Sequence, residues 1–381
     1  MNSISVLIPV YHGEKYIDGL IRMFDINASK LKIKNQIEVH VVFINDEPKS
    51  SLQPSNYISP IYSDCVFLNP GSHQGIHGAR VYGLKHTISD YVLFFDQDDE
   101  VKEEFLLSQY KKIGDADGIV CNGIYRRDRL IYSSSRPMEY TYDRKSLLEK
   151  QWNPLSPGQV LLRRSAVPIE QWSKYILKHN LTDDWLLWFL MINKGCKFNL
   201  NSDVIYKHCE DGSNSSQNWK EMGASRVEVL DVLRKLKVLT SEEDTYLKDS
   251  TDKYLSKYDK YIKLDELLES SDHKKLIQNI KSRYHDMSVA IYGFGVYGQK
   301  LAELLQKAEV NVSYGIDQHA DAMTDTKIRM YPPSGEEFPP VDVVIITALF
   351  AFDEIANVTL KKMNCMKIPM DVFIKECMTA E

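Results

Sequence analysis

Apolar residues in the first hundred positions fall into short unbroken runs separated by helically spaced segments. "ISVLIPV" (4–10), "IEVHVVFIND" (37–46), "CVFLNP" (65–70) and "YVLFFD" (91–96) read as strands. Continuous apolar runs of this length suit strands buried on both faces of a parallel sheet. Between them, "EKYIDGLIRMF" sets Tyr16, Ile17, Leu20, Ile21 and Phe24 at helical spacing, and "GIHGARVYGLKHTI" (75–88) predicts a second helix. Strand alternating with helix predicts βαβ units, whose ligands bind beyond the carboxyl ends of the strands. Three of those ends are polar, "PVYHG", "INDEP" and "DQDD", and they are expected to share one edge.

Further along, the pattern loosens and then sharpens twice. "LTDDWLLWFLMINKG" (181–195) predicts a helix with Thr182 as N-cap, Asp183 and Asp184 in the first turn, and Gly195 past its end. Charged helical sequence follows. In it "TSEED" fits a capping box between Thr240 and Glu243, and a stripe of tyrosines and leucines from Tyr246 to Ile262 reads as a packing face. From His285 onward, "SVAIYGFGVYGQKLAELLQKA", "VSYGID", "VDVVIITA" and "PMDVFI" predict a small doubly wound unit. The expected division is residues 1–217, a helical linker over 218–284, and a third domain over 285–381. The fold class is α/β.

Composition narrows the function classes. The 381 residues are 43% hydrophobic and 26% charged, as in an ordinary globular protein, and the formal net charge of -6 argues against general nucleic-acid binding. Six cysteines lie scattered without a CxxC pair, which predicts reduced thiols and a cytoplasmic setting. "MNSISVLIPVYHGEKYI" reads as a first strand and not as a leader, and no run of 18 apolar residues exists. Peripheral contact with the inner face of a membrane and homo-oligomerisation stay open.

The chemistry concentrates in "SDYVLFFDQDDE" (89–100), where an apolar strand runs into Asp96, Asp98 and Asp99. Two carboxylates about 4 Å apart repel by roughly 4 kcal/mol at an effective dielectric near 20, so either something neutralises the charge or the group is a solvated strand end. Four segments in order then resemble the family 2 glycosyltransferases of the GT-A fold, over roughly residues 3–217. They are "SVLIPVYHGEKYI", "VVFINDEP", "NPGSHQGIHGARVYGLKHTISDYVLFFDQDD" and "LTDDWLLWFLMINKGCKF". The sequence departs from that family's usual residues at His12, Asn45 and Val81.

The resemblance implies an inverting transfer of a sugar from a nucleotide-diphosphate donor, UDP-linked by expectation, to a glycan or lipid-linked acceptor hydroxyl. It implies that Pro9, Val10 and Tyr11 line the base pocket, that Asp46 meets the base, and that Arg80 meets the pyrophosphate. Asp98 is expected to ligate Mn²⁺ or Mg²⁺, with Asp96 on the metal or the ribose, and Asp99 supporting them or capping a helix. Divalent cations of this kind take oxygen ligands and bind through one or two carboxylates plus phosphates. Asp184 then aligns with the general base and Asp183 with its acidic neighbour. "VIYKHCEDGSNSSQN" (204–218) resembles the polar closing segment, with His208 as a further metal or phosphate contact. Trp152 and "NPLSPGQ" are expected to shape the acceptor site.

"IYGFGVYGQK" carries Gly293, Gly295 and Gly298 as a GxGxxG, with Asp317 19 residues beyond the last glycine. Both match a dinucleotide fingerprint and loosely resemble the Rossmann-like modules attached to some sugar-processing enzymes. A nucleotide at this domain and a scaffolding role are the two expectations. Alternatives for the whole chain are a nucleotide-sugar-binding scaffold or regulatory protein, or a bifunctional enzyme with an NAD-dependent C-terminal module.

Overall fold

Strand pairing in the computed structural model follows the apolar runs closely. The structure describes residues 2–50, 52–125, 128–134, 137–149, 154–209, 219–318, 320, 327–334 and 338–379. They form two compact units, Met1–Thr251 and Asp252–Glu381.

In the first unit, β1 (Ser3–Val10), α1 (Glu14–Asn35), β2 (Glu38–Asn45), β3 (Asp64–Leu68), α2 (Gly75–Lys85) and β4 (Tyr91–Phe94) build a parallel half. There β1 pairs with both β2 and β4, Val6 lying opposite Val41 on one side and Leu93 on the other. Chain progression runs outward from β1 to β2 to β3 and then returns across β1 to β4. Right-handed crossovers therefore put α1 and α2 on opposite faces of the sheet. The reversal opens a crevice between the carboxyl ends of β1 and β4, the usual ligand position in sheets of this kind.

The second half of that sheet is mixed. β5 (Glu100–Val101), α3 (Phe105–Lys112), β6 (Gly118–Tyr125), β7 (Arg129–Leu130), α4 (Arg144–Glu149), β8 (Val160–Arg163), α5 (Ile169–Trp172), α6 (Asp183–Asn193) and β9 (Phe198–Lys207) continue the order. Among the described residues the strands run β3-β2-β1-β4-β8-β6-β9-β5, with β7 beside β6, and β8 antiparallel to both of its neighbours. The core is continuous through this sheet, and its largest wholly buried side chains include Trp172, Trp188, Phe24, Phe94 and Phe95.

α7 (Trp219–Leu236) and α8 (Ser241–Ser270) carry the charged helical sequence. The capping box before α8 forms: Thr240 N–H donates to Glu243 Oε2 at 2.9 Å, and Glu243 N–H to Thr240 Oγ1 at 3.2 Å. Arg144 Nε clamps the same glutamate at 2.5 Å. Thr182 stands at the N-cap of α6 but makes no capping bond, because its hydroxyl is paired with Ser225 Oγ at 2.7 Å. Only part of the tyrosine stripe packs: Tyr261 is buried, whereas Tyr246 and Leu255 face solvent.

The second unit holds α9 (His273–Tyr284), β10 (Val289–Tyr292), α10 (Val296–Lys307), β11 (Val312–Ile316), β12 (Met330–Tyr331), β13 (Val343–Ile346), α11 (Phe352–Glu354), β14 (Met366–Pro369) and α12 (Met370–Thr379). All pairs in its sheet are parallel, in the order β12-β11-β10-β13-β14. All six cysteines are free thiols. Among the described residues, no helix is long and apolar enough to cross a membrane.

Candidate functional site

The crevice between β1 and β4 is bridged by a side chain the sequence did not single out. Gln97, just past β4, accepts from Tyr11 N–H at 3.1 Å and donates to Tyr11 O at 3.0 Å, so the two loops are tied by a pair of bonds. Gly13 permits it: a Cβ there would stand 1.9 Å from Gln97 Oε1. The segment expected to line a base pocket therefore divides. Pro9 and Val10 are sheet residues paired with Ile44 and Asn45, while Tyr11 is about half exposed at the edge. Its ring lies 4.2 Å from that of His12 and 5.1 Å from that of His73, an aromatic cluster that could face a planar ring.

Asp46 lies beneath this cluster and is only 3% exposed. Its Oδ1 accepts from Gln74 N–H at 2.5 Å, and its Oδ2 lies 3.2 Å from His73 Nδ1. Burial raises its pKa, against the lowering effect of the Gln74 amide and His73. The carboxylate thus orders the turn into α2. Asn45, the departure from the family pattern, bonds Ser50 O at 2.8 Å and Asn69 Oδ1 at 2.9 Å.

The acids after β4 have three different environments. Asp99 is 3% exposed and saturated: it accepts from Tyr206 OH, from Cys209 N–H at 3.0 Å and from Ser156 Oγ at 3.4 Å, with His208 Nδ1 at 3.1 Å. It fastens the end of β9 to the end of β4. Asp96 meets Ser156 Oγ at 3.2 Å and Arg80 Nη2 at 2.5 Å. Half-buried Asp98 has no side-chain partner among the described residues, and its pKa is pushed up to about 7 by burial first, then by the charges of Asp99 and Asp96.

His208 is shifted upward as well. Burial works to lower its pKa, but the hydrogen bond and charge of Asp99, with Asp96 and Asp98, outweigh it. Ser156 and Tyr206 belong to this cluster without a local sequence signal, since both reach it from distant strands and turns. Among the described residues no group of three or more His, Cys, Asp or Glu side chains is already drawn together around a cation position. The donor set still suits a hard divalent ion, because two carboxylates with open coordination suffice when phosphate oxygens supply the rest. Asp98 is such a carboxylate: desolvated, repelled by its neighbours and without a side-chain partner among the described residues.

Arg80 crosses from α2 to the start of α6. Its Nη1 donates to Asp183 Oδ1 at 3.0 Å and Oδ2 at 2.9 Å, while Nη2 holds Asp96. Arg80 is 3% exposed and Asp183 2%. The guanidinium is therefore enclosed between two carboxylates. Asp184, one residue on, accepts from Trp185 N–H at 2.7 Å. Its pKa is raised, by burial first and by the charge of Asp183, with Arg80 opposing. A helix N-terminus favours the ionised form of a carboxyl, but desolvation and a like charge outweigh that influence here.

In the second unit, Gly293 turns at φ +88°, and a Cβ on Gly298 would meet Gly293 O at 2.2 Å, so the motif permits a tight turn and close helix packing. Gly295 faces open space. Asp317 Oδ2 accepts from Phe294 N–H at 2.7 Å, which ties the end of β11 to the glycine turn. Trp152 and residues 210–218 of the closing segment lie outside the described residues.

Residues 5–168 match the family model described as Glycosyl transferase family 2. That span includes Asp46, Arg80, Asp96, Asp98 and Asp99 and stops before Asp183, Asp184 and His208. The glycosyltransferase GlyA of Streptococcus pneumoniae is 25% identical over 127 residues, covering 32% of this chain and 17% of that relative. Among solved structures, S. aureus TarS in complex with UDP-GlcNAc is similar at TM-score 0.44 and 18% identity, over 67% of this chain and 73% of that one. The mannosyltransferase PcManGT of Pyrobaculum calidifontis, in complex with GDP-Man and Mn²⁺, is similar at 0.43 and 14% identity, over 66% and 72%.

Proposed function

We propose that the first unit is an inverting, metal-assisted glycosyltransferase using a nucleoside-diphosphate sugar, UDP-linked in the first instance. The observation that carries the reading is the placement of Asp98, without a side-chain partner among the described residues, beside Asp96 at the β1/β4 crevice, with Asp183 joined to Asp96 through Arg80. The family 2 match over residues 5–168 supports the reaction class. The acceptor would be a hydroxyl of a glycan or a lipid-linked sugar.

Asp98 with Asp96 would hold the divalent cation, which supplies neutralisation of the charge building on the departing diphosphate. His208 would add to the positive side of that region. Asp184 would accept the proton of the acceptor hydroxyl as its oxygen bonds to the anomeric carbon from the face opposite the nucleotide. The bond from that carbon to the diphosphate oxygen breaks, and its electron pair leaves with the nucleoside diphosphate. A raised pKa makes the ionised Asp184 a stronger base, and its partial exposure leaves it within reach of an acceptor hydroxyl.

The test is release of nucleoside diphosphate from a panel of UDP-, GDP-, dTDP- and CDP-sugars in Mn²⁺. Turnover of at least one donor that EDTA abolishes is the expected result. Cation-independent turnover, or none across the panel, would remove the reading.

A further inference from the structure

Arg80 is built into the protein more deeply than a ligand contact requires. Both of its carboxylate partners come from elsewhere in the fold: Asp96 follows β4, and Asp183 opens α6, 103 positions away. Trp172 Nε1 donates to Asp183 O at 3.1 Å, and His77, one turn before Arg80 on α2, holds Trp172 O at 3.1 Å and Leu177 N–H at 3.1 Å. The first turn of α6 is thus seated on α2 through side chain and backbone together. Arg80 Nε is buried and has no partner among the described residues, which leaves one of the three guanidinium nitrogens unsatisfied. Buried ion groups are poor stability devices, and in some proteins they serve to specify one geometry.

We propose that Arg80 is a positioning residue that fixes Asp184 relative to the Asp96–Asp98 loop, in place of a contact to the donor's phosphates. The inference rests on the glycosyltransferase reading above. One guanidinium spanning Asp96 and Asp183 sets the distance between the donor's leaving group and the base on the neighbouring residue. A base misplaced by about 1 Å can cost on the order of 100-fold in rate. Asp184 is faced by Asp183 on its own helix, by Arg80 from α2, by Asp96 past β4 and by Tyr142. Arg80 is the one positive charge in that set.

The experiment compares Arg80→Gln and Arg80→Lys with wild type in the full chain, using UDP with Mn²⁺ as the binding probe and the best donor from the panel for turnover. A positioning role predicts a UDP affinity within threefold of wild type in both variants. Turnover should fall at least 100-fold in Arg80→Gln and about tenfold in Arg80→Lys, the lysine rescuing part of it. The acid limb of the Arg80→Gln rate profile should also move to higher pH. Should Arg80→Gln fail to fold, Arg80→Lys still decides. UDP affinity weakened tenfold or more with turnover retained would overturn the proposal in favour of a phosphate contact, as would wild-type turnover in Arg80→Lys. Absence of turnover in wild type would instead sink the parent reading.

Discussion

Asp98 sets the pH behaviour expected at the scale of one side chain. Its folded-state pKa of about 7 exceeds the ordinary carboxylate value, so the folded protein binds the proton more tightly than the unfolded chain does. Stability of the metal-free protein from this group should therefore rise as pH falls from 8 toward 5, and Mn²⁺ binding should weaken over the same range as the ligand protonates. Melting temperatures measured with and without Mn²⁺ across that range check both trends. Asp98→Asn should melt higher than wild type at pH 8 without metal and gain nothing from Mn²⁺. Asp184 carries the complementary prediction. Asp184→Asn should keep UDP affinity within threefold by calorimetry and lower turnover by about 1000-fold, the size of a lost general base. Unchanged turnover would take Asp184 out of that role.

Helices and strands show what a one-dimensional reading captures. Three of the parallel strands, β1, β2 and β4, were legible as unbroken and largely buried apolar runs, and the edge strand β3 as a shorter, half-buried one. The capping box at Thr240 was legible because both partners lie within four residues. Glu243 extends that box into the fold. Its pKa is held down to about 2, chiefly by the Arg144 hydrogen bond, so its stabilisation is present above the ordinary glutamate value and is lost as pH falls toward 2. Glu243→Gln should cost about 1–2 kcal/mol at pH 7 in urea unfolding and close to nothing at pH 2. What stayed illegible is non-local. Nothing near Arg80 in sequence announces Asp183, nothing near Gln97 announces Tyr11, and Ser156 and Tyr206 meet Asp99 only through the order of the sheet. Thr182 shows the converse: a good local N-cap whose hydroxyl is taken by Ser225, a partner 43 residues away.

At the scale of the molecule, a mixed sheet in one unit and a parallel sheet in the other each reverse strand order beside their first strand, β1 and β10. The first reversal collects carboxylates and an aromatic cluster; the second collects glycines and Asp317. Gly298→Ala would push a methyl group into Gly293 O, and repacking around it should destabilise the second unit by about 1–3 kcal/mol or more, read by urea unfolding. UDP binding in the first unit should be unaffected.

The most direct test of the central claim is a thermal-shift titration of the full chain with UDP, GDP, dTDP and CDP, each with and without Mn²⁺, in wild type and Asp98→Asn. A ligand specific for the folded state at 100 times its dissociation constant adds about 2.7 kcal/mol, a shift well above detection. The account predicts stabilisation by at least one nucleoside diphosphate, only in the presence of Mn²⁺, and its loss in Asp98→Asn. No shift with any nucleotide, or an equal shift without the cation and in the variant, would contradict it.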